Sequence, residues 1–294
     1  MWIAEQLLFQ LVRSLYRTEV AHSSEMKSAL QCIDAYDAYR ANEISRIIEA
    51  VERYCIQIAG RRVVDFGCND GAISAEYLRK GAVKVIGVDI DECAIRRAQE
   101  LHHDERLVFV QSAVSTIPLE DQSVDAIISY DVFEHVSQPT TILRELHRIL
   151  APTGKALIGT WSWWHPFAPH LWSVMPVPWA HVLFSEKTLL RVCRRVYHSS
   201  WYNSNMHDYD KEGKRLLDKY THETISTDYL NKLLIRDFEQ IFPSTGFRYE
   251  THCVPFGSRY AAWTRVFLNV PWIREFIAGY VWFVLTKSID QHLS

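Results

Sequence analysis

The chain has 294 residues, 48% apolar and 23% charged, so it can bury a substantial core and is not a disordered polymer. A formal net charge of -3 gives no general attraction to nucleic acid, and such partners are set aside. The six cysteines (Cys32, Cys55, Cys68, Cys93, Cys193 and Cys253) show no zinc-ligand spacing, which points to a reduced, cytoplasmic, metal-free protein rather than a disulfide scaffold.

Residues 2–17 place Trp2, Ile3, Leu7, Leu8, Leu11, Val12 and Leu15 on a broad helical face, interrupted by Glu5, Arg13 and Arg17. They read as a cover for the domain or its pocket, not as a signal peptide; a dimerisation helix and peripheral membrane contact stay open. No run reaches the ~20 apolar residues of a spanning helix. After a polar break, His22 to Glu25, a second helix is expected over 38–59, with Tyr36, Tyr39 and Arg40 ahead of the regular series. From 62 onward the pattern alternates: strand 62–66, helix 72–80, strand 83–88, helix 92–102, strands 106–111 and 124–129, helix 140–150, strand 155–160. This rhythm predicts an α/β fold, a parallel sheet with helices on both faces and ligands outside the carboxyl ends of its strands.

Residues 161–228 break the rhythm. They hold six of the ten tryptophans, His165, His170, His181, His198, His207 and His222, and Pro169, Pro176 and Pro178, so one long helix is excluded and an inserted cap is expected. A helix at 230–242, a Ser244-Thr245-Gly246 turn, a strand from Phe247 to Val254 and a final strand within Tyr280–Leu285 follow.

The organising stretch is Val63 to Gly71, a buried strand entering a small-residue turn that opens a helix. Such a turn lets backbone N–H groups and a helix N-terminus approach an anionic or polar ligand. About 20 residues on, the second strand ends in Asp89, an acid placed for a ribose diol. Together they imply an adenosine-containing ligand.

Four motifs in order carry a family resemblance: Asp65-Phe66-Gly67-Cys68-Asn69-Asp70-Gly71; Val88-Asp89-Ile90; Val124 through Glu134-His135-Val136; and Leu146 through Gly154-Lys155. In these the chain resembles the class I S-adenosylmethionine-dependent methyltransferases, in particular the small-molecule group that includes ubiquinone-pathway and natural-product enzymes. The likeness is strong over 60–160 and weak over 228–290. It implies a Rossmann-like, seven-stranded, mostly parallel sheet, divided as a helical cover (1–60), a cofactor-binding core (61–160), the cap (161–228) and the completion of the sheet (229–294). Asn69 stands where the family usually has glycine, and asparagine tolerates left-handed backbone better than other residues with a side chain.

The resemblance implies S-adenosylmethionine as cofactor and methyl transfer to a small aromatic or lipophilic acceptor, oxygen favoured over nitrogen or carbon. Asp89 would take the ribose, Ile90, Ala113 and Ser112 the adenine, and the backbone from Asp65 through Gly67 and Cys68 to Asn69 and Gly71, with Ser129 or Tyr130, the methionine portion. Arg40 is a candidate partner for its carboxylate. Glu134 and His135 read as stabilisers of the turn after strand four. His165, then His170 and His181, are the candidate general bases, each also readable as a packed cap residue. A non-methylating rearrangement and a non-catalytic partner subunit are the alternatives.

Overall fold

The computed structural model describes residues 2–17, 33–205, 208–210, 213–217, 219–221, 224–225, 230–256 and 261–288; the break at 22–25, His207 and His222 lie outside them. These residues form two compact units, 46–162 with 228–294, and 1–45 with 163–227.

The first unit is a seven-stranded sheet in the order β3-β2-β1-β4-β5-β7-β6. Its strands are β1 (Arg62–Phe66), β2 (Lys84–Asp89), β3 (Leu107–Gln111), β4 (Val124–Tyr130), β5 (Leu150–Thr160), β6 (Phe247–Pro255) and β7 (Ala278–Lys287). Strands β1 to β5 are parallel, whereas β7 runs antiparallel to both β5 and β6. Val63 to Phe66 are all buried, as a central strand covered on both faces requires. The core joins Val64, Ile127 and Ile158 of the sheet to Leu143, Leu146 and Phe238 of its helices.

Local chemistry sets the helix ends. Helix α4 (Glu92–Leu101) starts at Asp91, whose carboxylate accepts from the Cys93 N–H at 2.8 Å. Helix α5 (Pro139–Ile149) opens on a proline, which lacks only an N–H the first turn cannot use. Helix α8 (Ile235–Ser244) starts five residues later than expected, because Asn231 is held by the turn after β4: its N–H donates to Glu134 O (2.7 Å) and its amide to Val136 O (2.9 Å). Helix α2 (Ile33–Arg53) ends six residues before the expected 59, where Cys55 turns to a φ of 54° and the Ile56 N–H closes on Val51 O. Strand β5 begins at Leu150 rather than 155, since Leu150 pairs with Val124 and the ladder resumes at Lys155 opposite Ala126. Helices α9 (Ala261–Phe267) and α10 (Pro271–Ile277) were not expected at all.

The second unit packs α1 (Trp2–Arg17) on α7 (Glu186–Tyr197), burying Leu8 and Val12 with Leu189, Val192 and Val196; α6 (Ala180–Leu183) and α3 (Ala72–Arg79, in the sheet unit) complete the α-helices of the described residues. Ser185 caps α7 by accepting from the Thr188 N–H. Asp208 is fully buried and accepts from Lys219 Nζ (2.6 Å), the Tyr202 hydroxyl (2.8 Å) and the Asn205 N–H (2.9 Å). Three donors compensate a charge removed from water.

Candidate active site

Strands β1, β2 and β4 end level with one another, Phe66 lying in register with both Val88 and Ser129. Strand β1 sits between β2 and β4, so connections leave it in opposite directions and open a crevice at its carboxyl end. A cavity of about 360 Å³ lies there, walled by Gly67 and Asn69, by Asp89, Ile90 and Asp91, by Ser112, Ala113 and Val114, and by Asp131, Val132, His135 and Val136 with Ile142 behind.

The loop from Gly67 to Gly71 has left-handed backbone at Gly67 (φ 84°), Asn69 (φ 48°) and Gly71 (φ 79°). The asparagine therefore holds the conformation read for it. A Cβ on Gly67 would lie 2.1 Å from Val132 Cγ2, and one on Gly71 2.4 Å from the Phe109 ring, so both positions exclude a side chain on space as well as on backbone.

One expectation is corrected. Four of the loop's N–H groups are engaged within the protein and are not offered to a ligand: Gly67 and Cys68 both donate to Val88 O (2.7 and 3.1 Å), Gly71 donates to Cys68 O, and Asn69 donates to Asp89 Oδ2 at 2.9 Å. These four donors are satisfied by β2, its terminal Asp89 and the loop itself. Asp89 also accepts from the Asp91 N–H through Oδ1 (3.0 Å), while the cap of α4 is Asp91, so Asp89 is not the helix cap.

Gly67, Asn69, Asp89, Ile90, Ser112 and Ala113 thus meet at one cavity. Asp65, Cys68, Gly71, Ser129 and Tyr130 are not among its walls. Asp65 is buried and accepts from the Ser74 hydroxyl; burial pushes its carboxyl up to about 7, the charge of Asp89 adding to this and the Ser74 hydrogen bond opposing it. Burial likewise raises the Cys68 thiol, leaving it a packed, un-ionised group. Ser129 is fully buried and its hydroxyl has no hydrogen-bond partner among the described residues. Tyr130 joins an aromatic cluster with Tyr280 and Trp282 at ring distances of 5.5 and 5.8 Å.

Sequence reading passed over Asp131. It takes a left-handed φ of 54°, rare for a residue with a side chain, and is pinned there by the Trp161 indole N–H (2.8 Å) and the Tyr280 hydroxyl (2.7 Å). The signal available was its position directly after a strand that ends in the crevice. Glu134 accepts from the Thr160 hydroxyl at 2.8 Å, and burial pushes it up to about 7, in keeping with a role in the turn. His135, by contrast, lines the cavity.

The histidines named from the sequence belong to the other unit, as does Arg40 on α2, and no place in this cavity is assigned to them. His165 is buried and its Nδ1 accepts from the Phe167 N–H; burial, followed by the neighbouring His170 and His181, lowers it to about 3. His181 Nε2 donates to Trp163 O at 2.7 Å, and burial lowers its pKa. His170 holds a left-handed φ of 56° in the turn that follows Phe167.

Residues 64–158, which carry this crevice, match the methyltransferase domain family. An uncharacterized methyltransferase from Mycobacteroides abscessus is 32% identical over 118 residues, covering 39% of this chain and 45% of its own length. A probable S-adenosylmethionine-dependent methyltransferase from Mycolicibacterium smegmatis is 30% identical over 109 residues, covering 37% and 41%. This segment belongs to the class I S-adenosylmethionine-dependent methyltransferases. The chain spans less than half the length of these two relatives. In fold, the chain resembles a putative sarcosine dimethylglycine methyltransferase from Galdieria sulphuraria, at a TM-score of 0.51 and 14% identity over 84% of this chain and 86% of that one.

S-adenosylmethionine is the cofactor of the methyltransferase fold, and the donor set suits it. Asp89 brings a carboxylate to the cavity wall for a diol, and Ile90, Ala113, Val114 and Ile142 supply apolar surface for a flat ring. Among the described residues, no helix is long and apolar enough to cross a membrane.

Proposed function

We propose that the protein transfers a methyl group from S-adenosylmethionine to a small aromatic or lipophilic acceptor, with oxygen the favoured accepting atom. The observation that carries this reading is the convergence of Asp89, the adenine-sized apolar wall and Asp131 on one cavity at the carboxyl ends of β1, β2 and β4. The bound cofactor supplies an already activated methyl on its sulfonium, so the chain's task is to align the acceptor and exclude water.

Asp89 holds the ribose hydroxyls while continuing to accept from the loop, since a carboxylate has about four acceptor sites. Asp131 orders the acceptor side: the Trp161 indole N–H and the Tyr280 hydroxyl fix its carboxylate at the cavity wall. The base we assign to an oxygen acceptor is His135, which the cavity itself presents, in place of His165, whose burial leaves it far too weakly basic near neutrality.

Calorimetric titration is expected to give saturable S-adenosylmethionine binding, weakened on the order of 10- to 100-fold in Asp89→Ala, the range for losing hydrogen bonds to a charged group. Unchanged affinity would remove Asp89 from the site. Production of S-adenosylhomocysteine in proportion to a methylated acceptor, across a panel of phenols and lipophilic alcohols, then separates methyl transfer from cofactor binding alone.

A further inference from the structure

The segment that joins β3 to β4, residues 112–123, contains no helix or strand, yet its first residues, Ser112 to Val114, form one wall of the cofactor cavity. Ala113 and Val114 are exposed, so core packing does not hold their side chains in place. A segment without a strand ladder takes its position from other partners. At the near end the Ser112 N–H donates to Asp89 O (2.8 Å), and the Ala113 N–H donates to Thr116 O (3.0 Å), which folds the wall into a turn. Beyond that turn α5 takes over. Glu145 Oε2 accepts from the Ile117 N–H (3.0 Å), and the Arg148 guanidinium donates to Ile117 O (2.9 Å) and Leu119 O (2.7 Å).

The same guanidinium donates to Asp121 Oδ1 (2.7 Å) and to both oxygens of Glu145, through Nε (3.0 Å) and Nη2 (2.8 Å). Its single Nε donor and the pair on each Nη are thereby all matched, which no lysine could reproduce with three donors on one atom. Ile117 is buried in the main core with Ile142 of α5, and Ile142 itself backs the cavity. One helix thus lines the cavity with one residue and anchors the neighbouring wall with two others. Arg148 is not among the cavity walls, so it meets no ligand there. We propose that Arg148, braced by Glu145, is a positioning residue: it fixes the β3–β4 segment and through it the adenine wall, and so sets the affinity for the cofactor. The inference rests on the cofactor reading of this cavity.

Calorimetric titration of the full chain with S-adenosylmethionine tests it. In Arg148→Met, Kd is expected to rise on the order of tenfold, the size of one lost hydrogen bond to a charged group, with the binding stoichiometry unchanged. That split separates positioning from folding, because a role in stability alone lowers the fraction of competent protein and leaves the Kd of the remainder at its wild-type value. Arg148→Lys keeps the charge and loses the fork; it should raise Kd severalfold, and it carries the test if Arg148→Met does not fold. Combined with Val114→Ala, the Arg148 variant should weaken binding by less than the product of the two separate effects, since both act on one wall. Wild-type protein that binds no S-adenosylmethionine would remove the cofactor reading and this proposal with it. Wild-type binding with an unchanged Kd in the folded Arg148 variants, or effects that multiply in full with Val114→Ala, would overturn the proposal alone.

Discussion

A methyl group added at Gly67 would meet Val132 at the cavity wall while forcing an alanine to a φ of 84°. Gly67→Ala is therefore expected to destabilise the fold by about 2 kcal/mol or more, read as a lowered thermal midpoint, and to weaken cofactor binding at the same time. Asp65 leads to a pH test. Its ordinary pKa is 3.8 and burial raises it to about 7, so the folded chain keeps a proton that the unfolded chain has released across that interval. The associated stability is complete below pH 3.8 and is lost as the pH rises through 7. Asp65→Asn, which still accepts from Ser74, should gain thermal stability relative to wild type as the pH is raised across this window. His165 has the opposite sign: lowered from 6.5 to about 3, it contributes stability above pH 6.5 that is lost as the pH falls toward 3. His165→Asn should lose less stability than wild type on acidification; a parallel loss in the two would refute the buried neutral histidine.

At the level of elements, what could be read from the sequence was whatever repeats locally. Strand β1 is an unbroken buried run and was placed at its observed ends, 62–66, because an apolar stretch closed by a glycine turn has few other solutions. Helix α5 was placed within a residue at each end by its apolar period. Misplaced boundaries were those fixed by partners distant in sequence. Nothing within 230–234 forbids helix; Asn231 is drawn out of it by carbonyls of the turn after β4. Helices α9 and α10 are seven residues each, too short for a period to declare itself, and apolar on faces that the fold leaves in water. Within the site, Asp89 was legible because spacing from a strand end determines it, and Asp131 was not, because Trp161 and Tyr280, which give it its posture, come from β5's exit and from β7.

For the whole molecule, the sheet unit supplies every wall of the cofactor cavity from residues 66–142. A chain with 163–227 replaced by a flexible linker and 1–45 removed is accordingly expected to retain S-adenosylmethionine binding. A large loss of affinity would mean that the helical unit helps hold the cofactor, with Arg40 the first residue to test. Within that unit, stability rests on a buried charge. Asp208→Ala would leave Lys219 without its counter-charge and is expected to cost about 3–5 kcal/mol, visible as loss of cooperative unfolding or of soluble protein. The single carboxylate thereby ties together residues from 202 to 219 that share no regular element.

The internal hydrogen bonds of Gly67, Cys68, Asn69 and Gly71 have a kinetic consequence. A loop with four N–H groups already engaged by Val88, Cys68 and Asp89 is held in place before a ligand arrives. Cofactor association should then follow one exponential at rates linear in concentration, without the saturating phase that a preceding rearrangement imposes. Asp89→Ala removes the acceptor of the Asn69 N–H as well as the ribose contact, so it should slow arrival in addition to hastening departure. Stopped-flow measurement of both rates would separate a carboxylate that only grips its ligand from one that also keeps the door frame square.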